Sequence, residues 1–443
     1  MTEKFELIGK WWFHDNQDKS YCGLLKYEPI KGSTLKIDLE NWSTWKSELH
    51  SEDYIVHGTS INKKITMLKN QNLTNSEILI LGNKHLNSRE LNFKSYEVEI
   101  AYLNNWSSIE LFNDDKTLNN RLPQLVSNIN DTFSITLNQR IKTDRPNKEA
   151  WSVEYRPYLQ FRYKEGKNYF DFKKDLLHFT NFISLAVDGG GYFESIRAYN
   201  DDDTFEIVEK RYFGAKDAKE NTYNELFDLK DIINEMGFDK AIKNWYVKDK
   251  ELLGSFSGLF FVSQYSKNLL EFEFLCLAQA LDSLTTYYIN EEEKNNHNIK
   301  NHLPPKEFDK LKEEIILSIE SEDHKMWLKD ALRNDVSFKK RINIILNKYQ
   351  KILKISNKKS FATFIIKTRN AISHGSHLYS TDSEVKKGKE LVELFYGVKM
   401  ILTTVMLRII DFDYDSIKSK LSRLCYYKEI LNGKIKFKSN SQE

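Results

Sequence analysis

Cysteine, proline and glycine are scarce in this chain, at three, six and seventeen of 443 residues. Cys22, Cys276 and Cys425 are widely scattered and give no Cys-x-x-Cys pair, which argues against a disulfide framework or a zinc site and fits a reducing, cytoplasmic compartment. No apolar run approaches the roughly 20 residues that span a bilayer, so a soluble protein with no membrane partner is expected. Met1–Lys10 lacks the basic segment, long apolar core and small-residue cleavage site of a secretory leader. One local absence is sharper. From Val336 to Thr381 there are ten Lys or Arg residues and no Asp or Glu at all.

That gap in acid breaks an otherwise balanced composition. Hydrophobic residues make up 40% and charged residues 29%, a globular profile whose length suggests two or three domains. The overall charge of +2 conceals an asymmetry: residues 1–254 carry a net −5 and residues 255–440 a net +8. Such an imbalance between halves points to a nucleic-acid-facing domain in the second. Lys339, Lys340, Arg341, Lys348, Lys351, Lys354, Lys358 and Lys359 belong to the acid-free run. They read as a track for an RNA backbone or as a solvated face.

Within the same run stands Arg369-Asn370-Ala371-Ile372-Ser373-His374. Arginine offers a fixed fork of donors to a phosphate, and histidine is the side chain whose ordinary pKa lies near neutrality. Together they could activate a ribose 2′-hydroxyl with no metal and no cofactor. Phe361, Phe364, Ile365, Thr368 and Ile372 recur at helical spacing, which predicts a helix over Phe361–Ser373 capped by Gly375. On that helix Asn370 and His374 share a face, while Arg369 and His374 stand roughly 140° apart. A self-sufficient site is awkward at that angle; a two-fold dimer would bring two such motifs together. An Arg and a His five apart also occur in many helices by chance, and spacing alone does not separate the two readings.

The first half is rich in aromatic and β-branched residues in short runs. Leu24–Tyr27, Thr34–Leu39, Lys64–Leu68, Ile78–Leu81, Phe93–Tyr102, Thr132–Leu137, Trp151–Tyr155, Tyr158–Tyr163, Phe193–Tyr199 and Thr204–Tyr212 read as strands. Gly23, Gly32, Gly58 and Gly82 fall where turns are needed. One helix interrupts this pattern at Phe172–Val187. Gly189-Gly190-Gly191 follows it, and glycines behind a helix are a C-terminal cap rather than a phosphate cradle. Trp11, Trp12, Trp42 and Trp45 read as core in preference to a ligand platform. From Asp228 the pattern turns helical, with candidates at Tyr265–Tyr288, Pro305–Ile319, Asp323–Arg333, Phe338–Leu353, Phe361–His374 and Ser383–Phe412, and a polar loop over Asn290–Pro305. The expected fold class is α+β multidomain: a β-rich domain over 1–227, a helical connector over 228–264 and an all-α bundle over 265–440.

These pieces resemble a known family. Arg369, Asn370 and His374 match the R-x4-6-H signature of HEPN domains, in which a polar residue commonly follows the arginine. Leu277-Ala278-Gln279-Ala280-Leu281-Asp282-Ser283 is similar to the Q-A-L-E segment of ApeA proteins, with Asp282 in place of Glu. Gly9-Lys10-Trp11-Trp12, Gly23-Leu24-Leu25, Leu35–Leu39, His57-Gly58 and Ile65–Leu68 resemble, in order, the ApeA N-terminal domain. The resemblance implies a bacterial anti-phage protein of the abortive-infection type: a HEPN endoribonuclease with a β-rich domain that regulates it or senses infection, for which a phage-derived trigger is a candidate. It implies a homodimer or higher homo-oligomer, His374 as base, Arg369 as phosphate and transition-state stabiliser, and Asn370 as orienting neighbour. Asp282 is either a support for that site or part of a solvated helix face. RNA is the expected partner, with tRNA a candidate because its anticodon loop exposes flexible single-stranded linkages. The alternatives are a non-cleaving HEPN scaffold that binds RNA or nucleotide and signals through a partner, and a carbohydrate- or protein-binding β module whose helical half only dimerises.

Overall fold

The structure, a computed structural model, describes residues 4–13, 16–41, 43–45, 55–61, 63–69, 75–86, 91–107, 124–144, 152–210, 225–252, 258–261, 269–295, 303–435 and 437. The chain divides into two compact units, Met1–Val247 and Lys248–Glu443.

The first unit is built on twelve antiparallel strands. They are β1 (Phe5–Phe13), β2 (Tyr21–Glu28), β3 (Gly32–Ile37), β4 (Ile55–Ser60), β5 (Lys63–Lys69), β6 (Asn75–Gly82), β7 (Asn92–Ile100), β8 (Leu125–Asn130), β9 (Phe133–Asp144), β10 (Ser152–Asn168), β11 (Phe193–Asn200) and β12 (Asp203–Glu209). The first six pair in the order β3-β2-β1-β4-β5-β6, and β3 returns to β6 at Ser33↔Ser76, which closes a barrel. Alternation along β2 turns Tyr21, Leu25 and Tyr27 inward to meet Trp11, Trp45, Val56, Ile65, Met67 and Leu79. Trp11, Trp12 and Trp45 are therefore core, and Trp42 lies outside the described residues.

β6 has a third partner. One of its edges pairs with β5, and on the other, beyond its short pairing with β3, it lies against β12, from Ile78↔Glu209 to Leu81↔Glu206, and starts an open sheet in the order β12-β11-β7-β10-β9-β8. Helix α2 (Tyr169–Ala186), which follows a short α1 (Leu103–Ser107), covers one face of that sheet with Phe172, Leu176, Phe179 and Ile183. Phe172 stacks on Tyr96 with ring centroids 3.7 Å apart. Two further helices, α3 (Leu229–Glu235) and α4 (Phe238–Leu252), start beyond the strands, and Trp245 donates to the His178 carbonyl of α2 at 3.0 Å. The residues up to Val247 thus pack with the β-rich unit.

Several sequence expectations need correction. Strands β1, β4 and β8 were not among those expected, and Gly23 and Gly58 lie inside strands rather than at turns. Trp151–Tyr155 and Tyr158–Tyr163 fall on one strand, β10, from Ser152 onward. Pro157 is tolerated within it because pairing with β7 begins only at Leu159, so the missing N–H interrupts no ladder on that side. Of the three glycines after α2 only the first joins its cap, the N–H of Gly189 reaching the Ser184 carbonyl at 3.0 Å, and the left-handed residue of that cap is Asp188.

The second unit is helical. Its described helices are α5 (Leu270–Asn295), α6 (Pro305–Leu317), α7 (Glu322–Ala331), α8 (Phe338–Lys348), α9 (Lys358–Ser373), α10 (Gly388–Ile410), α11 (Tyr414–Leu421) and α12 (Cys425–Leu431). Helices α5, α8, α9 and α10 pack on one another, and α10 is buried along nearly its whole length, from Leu391 to Ile410. Helix α5 runs six residues, 290 to 295, into the stretch expected as a polar loop. Helix α8 stops at Lys348 rather than Leu353, and α10 starts at Gly388 rather than Ser383, because Asp382–Lys387 is committed to a turn.

Gly58 supplies a test of the barrel. A Cβ there would stand 2.2 Å from the Trp11 ring, whose indole already donates to the Gly23 carbonyl at 3.1 Å. We expect Gly58→Ala to destabilise the first unit by about 1–3 kcal/mol through overpacking. Its thermal transition, followed by near-ultraviolet circular dichroism, should fall while that of the helical unit stays in place.

Candidate active site

The site grows from one helix terminus. Asn357 caps α9 by accepting from the Ser360 N–H at 3.0 Å, and Phe361, Ala362, Phe364, Ile365, Thr368 and Ala371 form its buried side. The helix ends in a Schellman motif: the N–H of Gly375 bonds to the Ile372 carbonyl at 3.0 Å and that of Ser376 to the Ala371 carbonyl at 2.9 Å. His374 is the C-cap residue, its N–H bonded to the Asn370 carbonyl at 3.0 Å. Both Asn370 and His374 are exposed, one turn apart on the same face.

Arg369 points elsewhere. Its Nη2 donates to Oε1 of Gln279 at 2.8 Å and pairs with Oδ2 of Asp282 at 3.3 Å, both on α5. The other oxygen of Asp282 takes Arg341 of α8. Phe338, one turn before Arg341, lies beside both cations, its ring centroid 5.5 Å from the Arg341 guanidinium carbon and 5.6 Å from that of Arg369. Three helices thus converge on a single carboxylate. The side chains of Asp282, Arg341 and Arg369 are 19%, 18% and 25% exposed, enough shielding to strengthen the pairing while Arg369 stays reachable.

The loop after His374 is anchored from below. His377 is buried and its Nε2–H donates to the Lys386 carbonyl at 2.8 Å, while the Lys386 N–H donates to the Thr368 hydroxyl, next to Arg369, at 2.9 Å. The Lys386 ammonium is itself buried against the Phe364 ring at 4.1 Å and bonded to the Ser383 carbonyl at 3.0 Å. Further along the loop Asp382 is held below the usual carboxylate range by the Glu384 N–H and then by Lys367.

The structure brings together Arg369, Asp282 and Arg341 of the residues singled out from sequence. Asn370 and His374 are exposed, and the described contact between them is the backbone bond of the helix end. Lys339, Lys340, Lys348, Lys351, Lys354 and Lys359 are exposed on α8, the turn after it and the start of α9. Lys348 lies over the Tyr288 ring at 4.3 Å, and Lys358 donates to Asn347 at 2.7 Å. Gln279, Phe338, His377 and Lys386 were not singled out. Gln279 and Asp282 are three apart on one helix face, as are Phe338 and Arg341, so half of each pair could have led to the other.

Two family models match the chain: ApeA N-terminal domain 1 over residues 6–245 and Apea-like HEPN over residues 275–416. The second span holds every residue of the cluster. No curated protein and no solved structure matches.

Gly375 offers a local test. Its φ of +67° lies in the left-handed region, and an added Cβ would meet nothing within 4 Å, so a substitution is penalised by backbone conformation alone. Gly375→Ala should cost roughly 1–2 kcal/mol in the helical unit's thermal unfolding. Gly375→Asn should cost less, because asparagine tolerates that region.

Proposed function

The chain belongs to the ApeA family, its N-terminal domain matched over more than half of the sequence and followed by an Apea-like HEPN domain, and on that premise we propose that it is a metal-independent endoribonuclease of anti-phage defence. The observation that carries the reading is the end of α9, where the helix cap holds the backbone of an exposed His374 and, five residues earlier, the Arg369 guanidinium is braced by Gln279 and Asp282 of α5. His374 takes the proton from a ribose 2′-hydroxyl. The 2′-oxygen attacks phosphorus, the bond to the 5′-oxygen breaks, and that oxygen leaves after taking up a proton. The products are a 2′,3′-cyclic phosphate and a 5′-hydroxyl.

Arg369 stabilises the charge that builds on the phosphoryl oxygens. Its Nη2 is committed to Gln279 and Asp282, which fixes the plane of the fork and so orients the donors that remain. Asn370, one turn before His374, orients the imidazole or its substrate. The exposed lysines of α8 and α9 draw the RNA backbone toward the helix end. Single-stranded loops such as the tRNA anticodon loop are the favoured substrates, because their linkages can adopt the in-line geometry of attack. The β-rich domain is the regulatory part, answering to a phage-derived trigger. In the second reading the HEPN domain binds RNA or nucleotide without cutting and signals through a partner, Arg369 being held out of any chemistry by its pairing with Asp282.

Incubation of the purified protein with total RNA in EDTA separates the two. His374→Ala and Arg369→Ala should each abolish cleavage and phage protection with the fold intact, and Asn370→Ala should weaken activity less. Cleavage by pure His374→Ala protein would remove the histidine from the chemistry.

The guanidinium turned toward α5 and the imidazole exposed at the helix end also support a site shared across a two-fold dimer. A purified heterodimer of one Arg369→Ala and one His374→Ala protomer should then keep one site with both groups and about half the wild-type rate. Sites confined to single subunits would leave it inactive.

A further inference from the structure

Arg341 stands in the basic run, yet it does not present itself as the lysines beside it do. Lys339 and Lys340 are exposed, whereas the Arg341 side chain is 18% exposed, its Nη2 is given to Asp282 and its Nε is buried. A residue that tracks a phosphate backbone keeps its donors toward solvent; this one turns them inward. What it meets there is the carboxylate that also holds Arg369, with one oxygen for each guanidinium.

Charge makes the arrangement more than a brace. A carboxylate paired with Arg369 alone would neutralise it, and an incoming phosphate would have to compete with Asp282 for the same cation. A second guanidinium on the other oxygen leaves the trio with one net positive charge. Phe338 limits how far either cation can swing, since both lie within 6 Å of its ring centroid. Arg341 therefore acts on Arg369 through Asp282 in two ways: it fixes the carboxylate that sets the fork, and it draws off the negative charge that would otherwise quench it.

Resting on the nuclease reading above, we propose that Arg341 is a positioning residue for the cleavage step, which keeps Arg369 oriented and cationic toward the scissile phosphate without itself contacting RNA. The two roles differ in their kinetics. An RNA-contacting arginine contributes to ground-state binding, so its loss raises KM. A positioning arginine contributes to transition-state stabilisation, so its loss lowers kcat. The roles also differ in their response to Asp282. Once Arg341 is gone, Asp282 pairs with Arg369 alone, and neutralising that carboxylate should release the guanidinium again.

The test is cleavage of a fluorescein-labelled single-stranded RNA by full-length wild type, His374→Ala, Arg341→Ala, Arg341→Lys, Asp282→Asn and the double variant Arg341→Ala/Asp282→Asn. Arg341→Ala should lower kcat on the order of 10- to 100-fold, the scale of a misplaced catalytic group, and leave KM within about twofold. Arg341→Lys keeps the charge without the fork and should fall between. The double variant should cut faster than Arg341→Ala alone. That rescue, with the thermal midpoint of the double variant no higher than that of Arg341→Ala, is the result a merely structural contact cannot give, because relief of an unpaired carboxylate would raise stability together with rate. If Arg341→Ala does not fold, Arg341→Met keeps an unbranched stem against Phe338 and takes its place in both forms. A raised KM at unchanged kcat, an unaltered rate, or a double variant no faster than the single one would each overturn the proposal while wild type cuts and His374→Ala does not. A wild type that leaves the RNA uncut, or a His374→Ala protein that cuts it, would overturn the nuclease reading itself.

Discussion

Everything assigned to the helical unit depends on one shared carboxylate. Asp282 accepts a hydrogen bond from Arg341 with one oxygen and forms an ion pair with Arg369 through the other, and so ties three helices together at the point where the chemistry is expected. Few buried arrangements are so sensitive to the number of partners. With one arginine, a half-buried carboxylate makes a neutral pair that serves structure alone. With two, the desolvation of each charge is offset by an opposite neighbour and one positive charge is left for a ligand. The rest of the site serves this arrangement: Gln279 accepts from the same Arg369 nitrogen, Phe338 bounds both cations, and the cap at Gly375 fixes where the helix hands over to His374.

How much of this the sequence carried depended on whether the information was local. The Arg369-to-His374 motif, its helix and the capping Gly375 were legible because they occupy a few consecutive turns with helical spacing. Helix α9 nonetheless begins at Lys358, three residues before the expected start, since its capping asparagine precedes the apolar pattern. The brace on Arg369 was not legible, since Gln279, Asp282, Phe338 and Arg341 meet only after three helices pack. Arg341 was grouped with the lysines by charge, and charge alone says nothing about which way a side chain turns. Asp282 was singled out through family resemblance, with no geometric reason until its partners were seen.

The strands divided in the same way. Short runs of aliphatic, aromatic and β-branched residues marked β2, β3 and β5. β1 was lost because Trp11 and Trp12 are both buried in succession while Ile8 is 77% exposed, so its pattern does not alternate cleanly. β4 was lost to Gly58, which reads as a turn but is required flat against an indole. β8 is short and carries two asparagines among its six residues, poor strand formers that its pairing with β9 overrides.

Strand β6 carries a consequence of its own. One edge pairs with β5, and the other is divided between two partners: Ser76 closes the barrel against β3, and two residues later Ile78–Leu81 begin the open sheet against β12. A closed barrel is ordinarily a self-contained object that resists deformation because every edge is used up. Here the seam of closure is also the hinge line of a second sheet, with no flexible segment between them. Any slip in the register of the barrel must propagate along β6 within two residues, where a shift of one would turn the side chains facing β12 to the opposite face. The two halves of the β-rich unit are thus mechanically a single ribbon, and a ligand that tightened or strained the barrel would be felt in the sheet as a change of register rather than as a change of distance.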